Sequence, residues 1–161
     1  MTSHDIRIFG DPVLTSRADE ITAFDDSLKH LVEDMFDTMD AAGGVGLAAN
    51  QIGVLRRVFV FDCTTEEDGM RGHIINPQWE PVGEETQLGP EGCLSIPEVL
   101  ADTERYQTVR VIGLDYDGNP LTITASGLMA RCIQHETDHL DGVLFLRRLT
   151  PERRKEAMAY I

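Results

Sequence analysis

The sequence predicts an α+β fold in which strands outnumber helices and mostly pair with their neighbours along the chain. Two segments, 24–41 and 127–140, show the apolar spacing of amphipathic helices. Between them lie several short runs of β-branched and aromatic residues, two of which flank an Asp-Gly turn. Because short turns rather than helices separate these runs, antiparallel pairs are favoured over a parallel sheet.

The first helix is predicted from about Phe24 to Ala41. Its apolar side chains fall on one stripe of the helix, and the opposite face is rich in aspartate. The residues of the apolar stripe are Leu28, Leu31, Val32, Met35 and Met39. Gly43 and Gly44 follow directly, and glycine is the usual residue just past the end of a helix.

Four runs are predicted to be strands. Arg57–Cys63 (RVFVFDC) has the strongest β-branched and aromatic character, and a shorter strand is expected near His73–Asn76. Thr108–Tyr116 and Leu121–Ala125 flank the turn Asp117–Pro120, which predicts a hairpin.

Two helices are predicted in the C-terminal part. The longer runs from about Gly127 to Leu140, with Ser126 as its expected N-cap and Gly142 as its stop. A short last helix at about 151–160 is opened by a Thr-Pro pair, an N-cap followed by proline in the first helical position.

Length and composition predict one globular domain over residues 1–161. Apolar residues make up 42% and charged residues 26% of the chain, which is ordinary for a folded domain. No run approaches the roughly 20 apolar residues that cross a bilayer, and the first residues lack the pattern of a secretory signal. Three cysteines without paired spacing favour reduced thiols. We therefore expect a cytoplasmic protein with no membrane partner.

The charge of the chain limits its partners. The formal net charge is −14, so DNA binding is not expected, because such a surface repels phosphate backbones. Residues 147–161 are an exception, with five basic and two acidic residues. They form either a solvated helix face or a basic segment that contacts something anionic.

The strongest chemical motif is His135-Glu136-Thr137-Asp138-His139. Histidines four residues apart share one helix face, so both imidazoles reach a single metal ion while the glutamate handles a proton. Both histidines continue the apolar stripe of the helix, where burial without a partner is costly. This favours a metal over an exposed helix with two solvated histidines.

A two-histidine site needs a third protein ligand. Downstream of the motif the candidates are Glu152 and Glu156, in a short polar segment. Upstream the candidate is Cys93, which on its own is more typical of a buried core thiol. The residues alone leave both possibilities open.

A third unusual segment is Gly44–Gln51 (GVGLAANQ). Its small residues permit close approach of a ligand to the backbone, and the Gln51 amide can donate a hydrogen bond. The segment lacks the lysine of a phosphate-binding P-loop.

Three segments, Gly44–Gln51, Glu91–Ser95 and Gln134–His139, resemble in order the three signature motifs of the peptide deformylases. The likeness covers most of the chain, including Ile6–Leu14 near its start. It implies antiparallel sheets packed around a central helix that carries the H-E-x-x-H motif. It also implies hydrolysis of the formyl group from the N-terminal formyl-methionine of nascent polypeptides, with release of formate.

The resemblance assigns roles residue by residue. Cys93, His135 and His139 look like the metal ligands, with water in the fourth position, and Glu136 looks like the general base and acid. The remaining assignments are Gln51 and the Leu94 backbone N–H as oxyanion donors, Gly46 as a substrate-backbone contact, and a Glu91–Arg105 ion pair behind the ligands.

The methionine side chain requires an apolar pocket. Val45, Leu128 and Cys132 are candidates to line it, although plain core packing explains them equally well. Arg131 and Val99-Leu100 stand where family members vary, so they bear on peptide preference beyond methionine.

The metal and the partners follow from the same reasoning. A Cys/His/His site suits zinc on geometry, whereas the resemblance implies ferrous iron, Fe(2+), with Zn(2+), Ni(2+) or Co(2+) able to substitute. The expected partners are nascent peptides that begin with formyl-methionine. The basic segment Arg147–Lys155 is a candidate for transient ribosome contact.

Two other functions compete with this hypothesis. One is a metallopeptidase with a downstream glutamate as third ligand. The other is a catalytically idle domain that only binds formylated N-termini, although Glu136 and Gln51 would serve no purpose in it. An acidic domain without a metal would require all three segments to be coincidental.

Overall fold

A computed structural model describes residues 2–161 and has the α+β architecture that the sequence predicts. The helices are α1 (Asp26–Ala42), α2 (Gly127–Leu140) and α3 (Pro151–Met158), and short 3₁₀ helices lie at Pro12–Thr15, Ala49–Ile52 and Phe145–Arg148. The strands are β1 (Gly46–Ala48), β2 (Val58–Asp62), β3 (Arg71–Pro81), β4 (Thr86–Cys93), β5 (Ile96–Tyr106), β6 (Thr108–Leu114) and β7 (Pro120–Ser126).

The strands form two antiparallel sheets. One has five strands in the order β1-β2-β3-β6-β7, and the other is the β4–β5 hairpin. Strand β2 is buried on both faces, with Val58 and Val60 in the core cluster of α1 and Phe59 and Phe61 in the cluster of α2. Its continuous apolar sequence is what such a position requires.

Helix α2 occupies the centre of the molecule. Every residue from Met129 to Leu140 is buried, and the helix contacts strands of the large sheet as well as strand β5 of the hairpin. The predicted arrangement of antiparallel sheets around the helix that carries the H-E-x-x-H motif is confirmed.

The helix ends lie within two residues of the predicted bounds, and one predicted capping bond is not formed. Asp25 caps α1 by accepting a hydrogen bond from the Leu28 N–H, and Gly43 ends it with a φ of 68°. Thr150 caps α3, which stops at Met158 rather than near residue 160. Ser126 stands at the N-cap of α2, but within residues 2–161 its hydroxyl makes no capping bond and contacts Thr108 Oγ1 at 2.8 Å instead.

The strand predictions were correct for β2, β6 and β7 and too short for β3, which extends over eleven residues. The long strands β4 and β5 were missed. Among residues 2–161, no helix has both the length and the apolar character needed to span a bilayer.

Candidate active site and metal centre

Helix α2 places two imidazoles side by side. His135 and His139 are one turn apart on one face, both are buried, and their Nε2 atoms lie 3.1 Å apart. Such close nitrogens need a shared partner, and a bound metal ion would provide one.

The hairpin supplies the third ligand. Cys93 is the last residue of β4, and its Sγ lies 3.3 Å from His139 Nε2. The three ligand atoms lie within 4.8 Å of one another, and in residues 2–161 theirs is the one such group of three or more metal-binding side chains. Glu152 and Glu156 are exposed on α3, away from this group. The structure thus brings Cys93 to the histidines and gives no support to a downstream glutamate ligand.

The geometry of this group fits a tetrahedral metal ion. With metal–nitrogen bonds of about 2.1 Å, two tetrahedral nitrogen ligands are separated by about 3.4 Å, close to the 3.1 Å between the two Nε2 atoms. A thiolate and two neutral imidazoles suit zinc, iron, cobalt or nickel, and three protein ligands leave one position open.

Glu91 lies behind the histidines and orients one of them. Its Oε1 is 2.5 Å from His135 Nδ1, so this nitrogen carries the proton and Nε2 presents its lone pair to the metal position. Arg105 donates to both carboxylate oxygens, at 2.5 and 3.1 Å. Burial on its own would raise the pKa of Glu91, but the bonds from His135 and Arg105 outweigh it and hold this pKa well below its usual range.

Glu136 lies inside the site as a carboxyl group that can hold a proton near neutral pH. Burial raises its pKa to about 7, and among residues 2–161 its Oε1 has no hydrogen-bond partner. A Cβ atom at Gly46 would lie 2.6 Å from Glu136 Oε2, so glycine is what allows strand β1 to pass this close. A pKa near the working pH is what a general base and acid requires.

Gln51 and Leu94 flank the ligand cysteine. Gln51 is buried, its Oε1 accepts from the Ala48 N–H at 3.0 Å, and its Nε2 donates to Ser95 Oγ at 3.1 Å and to Cys93 Sγ at 3.6 Å. Because the Ala48 contact fixes which way the amide faces, a donor points towards the metal position. Leu94 lies in the turn directly after Cys93.

A cavity of about 560 Å³ opens beside these groups. The predicted pocket residues Val45, Gly46, Leu128 and Cys132 all line it. Val45 is exposed at its mouth, whereas Cys132 is buried and also belongs to the core cluster of α2. For Cys132, core packing and pocket lining are therefore two aspects of one position.

Several residues at the site were not predicted from the sequence to support it. Ser95 accepts the Gln51 amide, and Asp138 pairs with Arg105 at 2.8 Å and with Arg148 at 2.9 Å. Arg131, predicted only as a neighbour of the cleft, donates to Glu91. Asp138 lies within the motif itself, but its pairing depends on strands that the sequence pattern did not reveal.

The fold and this chemistry match known proteins. A family model described as polypeptide deformylase matches residues 3–155. Peptide deformylase 1 of Corynebacterium efficiens is 70% identical over 161 residues, which span 100% of this chain and 95% of that protein. Peptide deformylase 1 of Corynebacterium glutamicum is 67% identical over the same shares.

Solved structures give the same answer. A peptide deformylase from Legionella pneumophila superposes with a TM-score of 0.90 at 40% identity, covering 98% of this chain and 92% of that chain. A peptide deformylase from Synechococcus elongatus in complex with actinonin has a TM-score of 0.91 at 39% identity, covering 99% and 88%. The prediction of a peptide deformylase, a metallohydrolase, is thus confirmed, and the chain belongs to the polypeptide deformylase family.

Proposed function

We propose that this peptide deformylase uses one divalent metal ion, held by Cys93, His135 and His139, to release formate from the formyl-methionine end of nascent peptides. The observation that carries the proposal is the convergence of one thiol and two imidazole nitrogens beside a cavity that also contains Glu136. A divalent ion bound there supplies a water acidified towards a pKa of about 7 and a Lewis acid for the formyl oxygen.

Glu136 moves the proton. Its raised pKa allows it to accept a proton from the attacking water and to pass it to the amine nitrogen as the C–N bond breaks. The water oxygen stays on the formyl carbon, and the products are formate and the free N-terminus. One residue serves as base and then as acid because its pKa is close to neutral pH.

Gln51 and Leu94 act on the developing oxyanion. Two observations support this role: Gln51 Nε2 donates to Cys93 Sγ at 3.6 Å, and Leu94 directly follows Cys93 in the chain, so both groups belong to the surroundings of the cysteine ligand. One such donor is typically worth about 3–4 kcal/mol of transition-state stabilisation.

The cavity selects the substrate. Gly46 offers backbone groups to the peptide, and Val45, Leu128 and Cys132 offer an apolar wall to the methionine side chain. A formyl carbon bears only hydrogen, so the close packing of Glu136 against Gly46 favours formyl over acetyl groups.

Formate release from a formyl-Met tripeptide tests this function. Protein loaded with iron under anaerobic conditions is compared with Glu136→Gln, which keeps the size of the side chain but cannot exchange a proton. We expect release from the formyl but not the acetyl peptide, and a fall of about 10²–10⁴-fold in the variant. No release from metal-loaded wild-type protein would favour the idle binding domain.

We propose ferrous iron as the metal in the cell, with zinc, nickel or cobalt able to occupy the site. The donor set accepts all four ions, so what supports iron is the family resemblance. Metal analysis of protein purified anaerobically tests this proposal. Zinc as the predominant metal would contradict it.

Ribosome contact through Arg147–Lys155 is a further part of the proposal. Arg147, Arg154 and Lys155 are exposed, whereas Arg148 is engaged by Asp138. We expect the triple charge reversal of those exposed residues to Glu to weaken co-sedimentation with ribosomes. Substitution is preferable to deletion of α3, because Ala157 packs in the core. Unchanged co-sedimentation would contradict the contact.

A further inference from the structure

Arg131 lies on α2 one turn before His135, and it is buried although it borders the cavity. Its Nη1 donates to Glu91 Oε2 at 2.7 Å and to the Thr103 carbonyl oxygen at 2.9 Å. Its Nη2 donates to Gln87 Oε1 at 3.4 Å. These contacts join α2 to both strands of the β4–β5 hairpin.

The contact with Arg131 completes the set of hydrogen bonds that the Glu91 carboxylate accepts. Oε1 is shared by His135 and Arg105, whereas Oε2 receives Arg131 at 2.7 Å and Arg105 at a longer 3.1 Å. Without Arg131, the shorter of the two bonds to Oε2 disappears, and the carboxylate can turn about its remaining contacts. Since Oε1 orients the imidazole of His135, such a turn moves a metal ligand.

The same guanidinium acts on the cysteine ligand through the backbone. Glu91 and Cys93 are two residues apart at the end of β4, where the register with β5 shifts between them. The bond to the Thr103 carbonyl oxygen fixes β5 at the opposite side of the hairpin. Arg131 therefore fastens the strand that carries Cys93 to the helix that carries both histidines.

We propose that Arg131 is a positioning residue of the metal centre, acting through Glu91 on His135 and through the hairpin on Cys93. The proposal rests on the ligand set proposed above. It differs from a role in peptide preference, because the donors of this side chain are directed at the hairpin, at Glu91, Thr103 and Gln87.

The test measures metal retention by the full chain. Wild type, Arg131→Met and Arg131→Lys are loaded with Co²⁺, and transfer of the ion to a competing chelator is followed by the loss of the thiolate absorption band. Replacing a partner of a ligand-orienting residue typically costs 10–100-fold in metal affinity, so we expect a loss of about 10-fold for Arg131→Met. Lysine restores one charged bond to Glu91 but cannot hold Thr103 as well, so a smaller loss is expected.

Arg57→Met is the matched control. Arg57 is also buried, and it binds the other end of α2 through the Leu140 carbonyl oxygen at 3.0 Å and Asp141 at 2.9 Å. Its loss lowers stability without touching Glu91, so metal retention is expected to match wild type at a temperature where circular dichroism shows every variant folded. If Arg131→Met does not fold, the lysine variant carries the test.

Three results would overturn the proposal. They are wild-type metal retention in the folded Arg131 variants, equal losses in the Arg131 and Arg57 variants, and a change in peptide selectivity with metal retention intact. Cys93→Ala and His139→Ala are measured alongside. If these retain the ion, the ligand set itself is wrong; if they lose it while Arg131→Met does not, only the role of Arg131 fails.

Discussion

Helix α2 supplies His135 and His139 from a segment buried from Met129 to Leu140, whereas Cys93 comes from the end of a two-stranded hairpin outside the five-stranded sheet. In the helix, backbone geometry places the two histidines one turn apart on the same face. A two-stranded hairpin is marginally stable by itself, so its position depends on side chains that reach across to the helix. The two histidines are thus placed by the geometry of one helix, whereas the cysteine is placed by side-chain contacts between the hairpin and that helix.

Buried ion pairs lie at the centre of this boundary. Glu91 on β4 and Arg105 on β5 meet each other, and the helix adds Arg131 and Asp138. Both residues of the Glu91–Arg105 pair are nearly inaccessible, at 4% and 5% side-chain exposure. Buried charges of this kind are costly to separate, which makes the cluster a strong determinant of where the hairpin docks.

The largest expected effect is on the ligands themselves. Cys93→Ala and His139→Ala each remove one of three donors, so we expect metal affinity to fall by more than about 100-fold in both. Equilibrium dialysis against Zn²⁺ measures this. A metal site supported by the helix and a downstream glutamate would lose the ion in His139→Ala and keep it in Cys93→Ala, and that pattern would restore the metallopeptidase hypothesis.

Arg105→Met removes the arginine that pairs with Glu91 on the hairpin and with Asp138 on α2. It leaves Glu91 and Asp138 with less compensation for their buried charge, and removing one partner of a buried pair costs about 3–5 kcal/mol of unfolding free energy. Urea denaturation measures the loss. Arg110→Met, in the exposed pair with Glu80, is the control and is expected to cost less than about 1 kcal/mol. Equal losses in the two variants would show that the buried cluster does not fix the hairpin.

The two regions also differ in what their sequences reveal. The H-E-x-x-H helix was predicted with its bounds and both histidines, because helical spacing is a local property. Strands β4 and β5 were missed, since β4 contains Gly89 and Pro90, and β5 has consecutive apolar residues at 99–101 and consecutive charged residues at 104–105 instead of the strict alternation that predicts a strand.

The site residues also differ in how far the sequence alone could predict them. Cys93 could not be chosen over Glu152 or Glu156 from the residues alone, and the family resemblance was needed to select it. The roles of Asp138 and Ser95 depend on contacts between segments distant in the chain. Local patterns thus predicted the histidines, and the family resemblance supplied Cys93 and the Glu91–Arg105 pair, whereas the contacts of Asp138 and Ser95 became visible only in the folded arrangement.

Gly46→Ala disturbs the helix side of the site without altering the hairpin cluster. The added Cβ would lie 2.6 Å from Glu136 Oε2 and 2.8 Å from Cys132 Sγ, so the carboxylate must move. A displacement of about 1 Å can cost about 100-fold in rate, and we expect a fall of that size in kcat/KM with metal retained. In Gly44→Ala, two residues before β1 begins at Gly46, the added Cβ meets the flexible end of the Leu94 side chain, and kcat/KM is expected to change much less. Similar rates in the two variants would contradict the packing of Glu136 against β1.

Arg148→Met tests how far the ionic cluster extends, and it has the smallest expected effect. Arg148 binds Asp138 through two bonds, at 2.9 and 3.0 Å, but half of its side chain is exposed, whereas Arg105 approaches the same carboxylate from the buried side at 2.8 Å. Solvent screens the outer pair, so its loss is expected to cost less than about 1 kcal/mol of unfolding free energy and to leave metal retention unchanged. A loss as large as that of Arg105→Met would mean that the segment leading into α3 helps to dock the hairpin, and that Asp138 relies on both arginines rather than on the buried one. A smaller loss of unfolding free energy in Arg148→Met than in Arg105→Met would therefore show that the ionic cluster supporting the metal centre ends at Asp138 and does not include Arg148.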